Sequence, residues 1–184
     1  MSAPRPANRG PGAARENRLA LVAAATEVFA EQGIDAPLNA VAKRAGVGQG
    51  VLYRHFPDRV SLALAAFDTN VAEIETLSAD PACGLDDLLR ALTRQMIDSV
   101  AFVEIVTGAD RDPRLEAIRE RVRVALVGVV DQARRAGVLR PAVTADELML
   151  AVGMIASLVA KVPEAERRPT AEAAWALLDR ALRP

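Results

Sequence analysis

Residues 38–56 read LNAVAKRAGVGQGVLYRHF. Leu38, Val41, Ala42 and Ala45 fall at i, i+3, i+4 and i+7, the apolar stripe of a short helix. Pro37 precedes it, where a missing N–H costs nothing because a first-turn N–H has no intrahelical partner. Gly46 follows the stripe, at a position where a helix commonly leaves through a left-handed residue. A second short helix is predicted from about Gly48 to His55, burying Val51, Leu52 and Phe56. Two short helices joined by a glycine-containing turn make a helix-turn-helix. With those apolar residues inward, the second helix presents Gln49, Gly50, Tyr53 and Arg54. Gly48 and Gly50 add no side-chain bulk, so its amino end can approach another surface closely.

AGVGQGVLYRHF resembles the turn and recognition helix of the TetR family of transcriptional regulators, and the resemblance runs from roughly Arg18 to Phe67. Its most specific part is the Leu-Tyr-x-His-Phe ending. The chain departs from the family pattern at Pro37 and at Gly48, where Thr or Ser is usual. The resemblance implies an all-α protein: a three-helix helix-turn-helix head, then a helical effector-binding and dimerisation body. It also implies a phosphate contact from Arg59, since the family commonly has Lys or Arg there.

Composition narrows the alternatives. A chain of 184 residues can bury a real core. Hydrophobic residues make up 51% of it, yet the longest apolar-rich run, Leu148 to Ala160, falls short of the roughly 18–20 residues that span a bilayer. The excess is better accounted for by a subunit interface. The opening MSAPRPANRGPG lacks the apolar centre of a signal peptide. With one cysteine, Cys83, and one histidine, His55, an internal disulfide is excluded and a zinc site is implausible. These features predict a cytoplasmic protein without metal or cofactor. The net charge is −1, but residues 1–60 hold eight Lys/Arg against five Asp/Glu, whereas residues 61–184 hold fifteen against nineteen. A basic head on an acidic body suits DNA binding.

Along the chain, residues 1–15 read as a disordered basic arm, either solvated or touching DNA, 16–60 as the DNA-binding head, and 61–184 as the body. A helix from about Glu16 to Gln32 is predicted to turn Leu19, Val22, Ala23, Thr26, Phe29 and Ala30 inward. Asp58 is placed to cap the next helix, which runs through Phe67 to about Leu77. Ser78–Gly84 reads as a loop and Leu85 to about Val100 as a helix. Phe102–Thr107 reads as a short helical piece, and Asp112-Pro113 opens a long helix ending at Gly137. That helix is apolar at Val124 and Val127 as well as on its main stripe, predicting burial on more than one face. Thr144 and Glu147 form a capping box for a helix through Val159 that is apolar nearly all round. Gly153, Ala156 and Ala160 make a small-residue ridge suited to close helix packing. Val162–Pro169 reads as a charged loop before a last helix capped by Thr170. The final two helices predict a dimer interface through Leu148, Val152, Ile155, Val159, Trp175, Leu178 and Leu182, and the resemblance implies the same arrangement.

No catalytic constellation stands out. Asp86-Asp87 and Asp110/Asp112 are carboxylate pairs at helix starts, where they favour the helix dipole. For DNA, Gln49 is the best base reader, because its amide both donates and accepts at a base edge. Asn39, Arg44 and Arg54 can reach bases or backbone. Gly48 and Gly50 permit close approach. Tyr53 and His55 suit phosphate, or respectively a half-buried packing ring and a structural histidine, and Lys43 reads as solvated. Phe67, Met96, Phe102, Ile105 and Val122 are candidates either for core or for an aliphatic pocket taking an apolar or amphipathic small molecule. The function that follows is a ligand-responsive repressor binding a palindromic operator as a homodimer. The alternative is a helical carrier or enzyme retaining a vestigial head.

Overall fold

The computed structural model describes residues 11–100, 103 and 112–184. Among them eight helices and no strand occur: α1 Pro11–Gln32, α2 Leu38–Arg44, α3 Gln49–His55, α4 Arg59–Ala79, α5 Leu85–Asp98, α6 Pro113–Arg135, α7 Ala145–Val159 and α8 Glu164–Leu182. The chain divides into two compact units, Met1–Ala66 and Phe67–Pro184, so the first extends six residues beyond the expected head boundary. Phe102, residues 104–107 and Asp110 lie outside the described residues, as do residues 1–10 of the expected arm.

In the first unit, α1 begins at Pro11 instead of near Glu16, so residues 11–15 belong to a helix and not to a disordered arm. Pro11 suits a first helical position, and Ala13-Ala14 have the strongest helix preference of any residue type. The buried stripe also differs from the expected one. Leu21, Ala24, Ala25, Val28 and Phe29 are buried, whereas Leu19, Ala23, Thr26 and Ala30 face solvent. The helix is apolar on two sides, so its own periodicity does not choose between them; contact with α2 and α3 does. Phe56 is buried with Leu52 and Val41, and the Arg18 guanidinium lies 4.6 Å from the centre of its ring. Burying such a phenyl ring contributes roughly 1.5–3 kcal/mol.

In the second unit, α4 from Phe67 onward, α5, α6, α7 and α8 surround one apolar core that includes Ile74, Leu88, Leu126, Leu148, Ile155 and Val159. Polar ties fix α4 against α5 and α6. The Arg121 guanidinium meets Glu75 in a two-bond fork (2.7 and 2.8 Å) and reaches Asp68 at 2.6 Å. Arg94 pairs with Glu73. Asp112 caps α6 and Thr144–Glu147 caps α7 with the expected box.

Two expectations fail here. Val124 and Val127 of α6 are exposed, so α6 is packed on one face only within the protomer. The last helix starts at Glu164 and passes through Pro169 without a break. Proline removes one backbone bond, to the carbonyl of Ala165, but both residues are exposed, so that carbonyl is open to solvent.

Candidate nucleic-acid interface and ligand cavity

Pro37 leads into α2 with extended backbone (φ −61°, ψ 130°). The helix leaves through Gly46 at φ +69°. Val47 N–H donates to Ala42 (3.0 Å) and Gly46 N–H to Lys43 (3.2 Å), satisfying carbonyls that the helix end would otherwise leave unpaired. Gly48, extended at φ −72°, then starts α3. At seven residues α3 is too short to persist alone. It stands because Leu52 and the following Phe56 are buried in the unit's core.

The opposite side of α3 is open. Gln49, Gly50, Tyr53 and Arg54 are all exposed, with Asn39 of α2 and Gly48 exposed nearby in sequence. Tyr53 is 52% exposed, so about half of the residue meets solvent. His55 is half-buried, its ring 6.4 Å from that of Phe56 and tilted by 48°. Lys43 is exposed, as expected.

Two candidates have partners within the protein. Arg44 donates to Glu27 (2.8 Å) and to both oxygens of Glu31 (3.1 and 2.8 Å), joining α2 to α1. The hydrogen bond from Arg44 holds the Glu31 carboxyl below the usual range. Arg59 donates through Nη1 to the carbonyls of Ile34 and of Ala36, the latter at 2.6 Å. It therefore ties the α1–α2 loop to the start of α4, a structural duty that sequence spacing did not reveal. The carbonyls it meets lie more than twenty residues away.

The second unit contains a cavity of about 690 Å³. Its described lining comes from α4 (Asn70, Val71), α5 (Leu92, Gln95, Met96) with Ser99 just after it, Val103, α6 (Ile118, Arg119, Val122) and α7 (Met149 through Ser157, in part). Met96, Met149 and Met154 all line it, and the chain's remaining methionine is Met1. Flexible, polarisable side chains make a wall that can adapt to differently shaped apolar ligands. At the polar end Asn70 donates to Ser99 Oγ (3.1 Å), and Gln95 donates to the Asn70 carbonyl (2.9 Å).

Of the five pocket candidates, Met96 and Val122 line the cavity. Phe67 is core and does not, while Phe102 and Ile105 lie outside the described residues. Gly153 and Ala156, expected to receive a packed helix, line the cavity instead.

The expected interface needs a correction. Leu148, Val152, Ile155 and Val159 are buried inside the protomer, because α7 turns this stripe toward α5, α6 and α8. Trp175, Leu178 and Leu182 are half-buried against the same core, and Trp175 Nε1 donates to Thr93 Oγ1 at 2.8 Å. On these two helices the large apolar residues left exposed are Leu150, Met154 and Leu158 of α7 and Leu177 of α8.

The pattern describing the bacterial regulatory proteins of the TetR family matches residues 21–66, which span most of the first unit. An uncharacterised helix-turn-helix transcriptional regulator of Pseudomonas putida, TtgW, is 34% identical over 88 residues, 47% of this chain and 65% of that protein. The chain thus spans less than two thirds of that curated relative. The fold of SmeT, known as a complex with triclosan, has a TM-score of 0.66 at 20% identity, covering 91% of this chain and 92% of that one. The crystal structure of the TetR transcriptional regulator SCO0520 from Streptomyces coelicolor is 32% identical, with a TM-score of 0.60, and covers 91% of this chain and 98% of that one. TtgW and SCO0520 are both described as transcriptional regulators. With a helix-turn-helix head, a helical body and likeness over nearly its whole length to SCO0520, the chain belongs to the TetR family of DNA-binding transcriptional regulators.

Proposed function

We propose that this regulator is a repressor that binds a palindromic operator as a dimer and is released by an apolar or amphipathic small molecule. The observation that carries the DNA reading is α3 itself. Its inner side is anchored by Leu52 and Phe56, while Gln49, Gly50, Tyr53 and Arg54 stand free on the other. Gln49 reads a base edge, Tyr53 and Arg54 hold the backbone, and Gly48 and Gly50 let the helix approach. Asn39 and His55 flank this face. Arg44 and Arg59 contribute mainly by holding the head together.

The second unit serves assembly and ligand binding. Its cavity is mostly aliphatic, with Asn70, Gln95, Ser99 and Arg119 as polar points. A cavity of this kind suits an apolar body with one or two hydrogen-bonding groups, and the triclosan complex of the similarly folded SmeT supports a ligand role. The exposed apolar residues of α7 and α8 support a dimer, which is typical of the family. Two heads would then read half-sites about 34 Å apart.

Selection of bound fragments from genomic DNA tests the reading. Recovered fragments should share a palindrome with half-site centres about ten base pairs or a multiple apart. Fragments without any shared palindrome would instead favour a helical carrier whose head no longer reads DNA.

A further inference from the structure

The described lining of the second unit's cavity holds one charged residue, Arg119, and no carboxylate. Its other polar side chains, Asn70, Gln95, Ser99 and Ser157, are neutral, and the remainder is apolar. The acids of the neighbouring wall are engaged outside that lining. On α4, which contributes Asn70 and Val71, both Asp68 and Glu75 meet the Arg121 guanidinium, at 2.6 Å and at 2.7 and 2.8 Å. Glu73 pairs with Arg94 and accepts from Gln95 Nε2 at 3.0 Å. Each of these carboxylates thus has a cation of its own, and neither Arg94 nor Arg121 lines the cavity.

Arg119 lies in the lining between Ile118 and Val122 of α6. It pairs with Glu116 one turn back, at 3.2 Å, and the Glu116 side chain is 73% exposed. Water screens so open a pair, which therefore contributes little. A guanidinium carries several N–H donors, so Arg119 can keep Glu116 and still meet a second carboxylate.

We infer that the cavity selects amphipaths bearing a carboxylate head, and that Arg119 is the residue that reads the charge. The inference rests on the cavity reading above and narrows it from amphipaths in general to those of one sign. Solvation supplies the physical reason. A ligand whose tail enters an aliphatic cavity draws its head out of bulk water, and a desolvated charge is costly unless an opposite charge meets it. A carboxylate meets the Arg119 guanidinium, and charge-assisted hydrogen bonds of this kind are roughly twice as strong as neutral ones. An ammonium meets no carboxylate in the described lining and is repelled by Arg119. A neutral alcohol feels neither effect. The expected order of affinity is anion, neutral, cation.

The test uses the full chain with N-phenyl-1-naphthylamine, a neutral apolar fluorophore, as reporter of the cavity. Decanoate, 1-decanol and decylammonium share one chain length and differ in the head. Each is titrated against the bound reporter at neutral pH, below the concentration at which it forms micelles, with calorimetry as a second readout. Decanoate should bind roughly tenfold or more tightly than decylammonium, with decanol between them. Arg119→Gln should bring the decanoate and decanol affinities together. Arg119→Lys, which keeps the charge and loses the planar fork, should restore part of the gap. Arg123→Gln, on the same helix but outside the lining, should keep the wild-type order. Circular dichroism melting accompanies every variant. Equal affinity for the three ligands, or tighter binding of decylammonium, would overturn this inference and leave the cavity reading standing. An undiminished preference for decanoate in folded Arg119→Gln would overturn it as well, because the charge would be read elsewhere. A chain that binds neither the reporter nor any of the three ligands would overturn the cavity reading, and this inference with it. The ranking in the wild type needs no variant, so a variant that misfolds does not decide the outcome.

Discussion

Gly50 is the residue whose identity the fold does not require. It is the second residue of α3, its φ is not positive, and, apart from its chain neighbours and its own helix backbone, no atom of the protein lies within 4 Å of where a Cβ would stand. Alanine there would favour the helix by up to about 1 kcal/mol. Gly50→Ala should therefore leave melting unchanged or raise it, while weakening DNA binding because a methyl group intrudes between helix and groove. Equal melting with unaltered DNA affinity would remove Gly50 from the interface. Gln49→Ala separates reading from holding: operator preference should drop by about 1–3 kcal/mol with non-specific binding preserved. Titrations of operator and random duplex at several salt concentrations measure both, and equal weakening of the two would reassign Gln49 to the backbone. Arg59→Ala should behave differently. Losing its donor leaves the Ile34 and Ala36 carbonyls without that partner, so the head should lose about 1–3 kcal/mol of stability, visible in denaturant unfolding without any DNA present.

At the scale of one helix, α7 shows how strongly a face determines an outcome. Ile155 is 1% exposed and Leu158, three residues on, is 45% exposed. Ile155→Glu should bury an unpaired charge in the core, costing several kcal/mol, and the protein should unfold or aggregate. Leu158→Glu should fold normally and fail only in assembly. Circular dichroism together with sedimentation distinguishes the two, and a folded, dimeric Ile155→Glu would mean that the face is misassigned. Helix α6 carries a pH signature. Asp112 accepts from the Arg114 guanidinium and its backbone N–H, and these bonds hold its carboxyl down at about 2 from an ordinary 3.8. A group whose folded value is depressed stabilises the fold above its unfolded value and loses that contribution on acidification. The gap in unfolding midpoint between wild type and Asp112→Ala should thus be full at neutral pH and shrink between about pH 4 and pH 2. A gap independent of pH would mean that the carboxylate charge plays no part in the cap.

In the whole molecule, two separate units would be joined through function: a head that reads one half-site and a body that supplies symmetry and a cavity. Leu177→Glu should leave half-site binding by each head intact. It should abolish the added affinity for a two-half-site operator, because the second contact would no longer be intramolecular. Comparing one-half and two-half duplexes by titration shows this. An undiminished advantage for the full operator would mean that the heads are paired by some other surface.

Much of this was determined by local chemistry that a sequence carries openly. The α2–turn–α3 motif, the Gly46 exit and the Asp58, Asp112 and Thr144 caps depend on neighbours within a few residues. For the same reason the TetR likeness was legible from Arg18 to Phe67. What only the tertiary structure decided were choices between equivalent faces. α1 and α7 are apolar on more than one side, and a helix of that kind records how much surface it must bury but not which side meets its own chain. Packing against α2 and α3 chose Leu21 over Leu19. Packing against α5, α6 and α8 drew Leu148 and Ile155 inward and left Leu150, Met154 and Leu158 outside, so the α7 residues expected at the interface are buried within the protomer, while Trp175, Leu178 and Leu182 of α8 are half-buried. Arg44 and Arg59 were likewise legible as cations but not as structural ties, because their partners are distant in sequence and are brought near only by the fold.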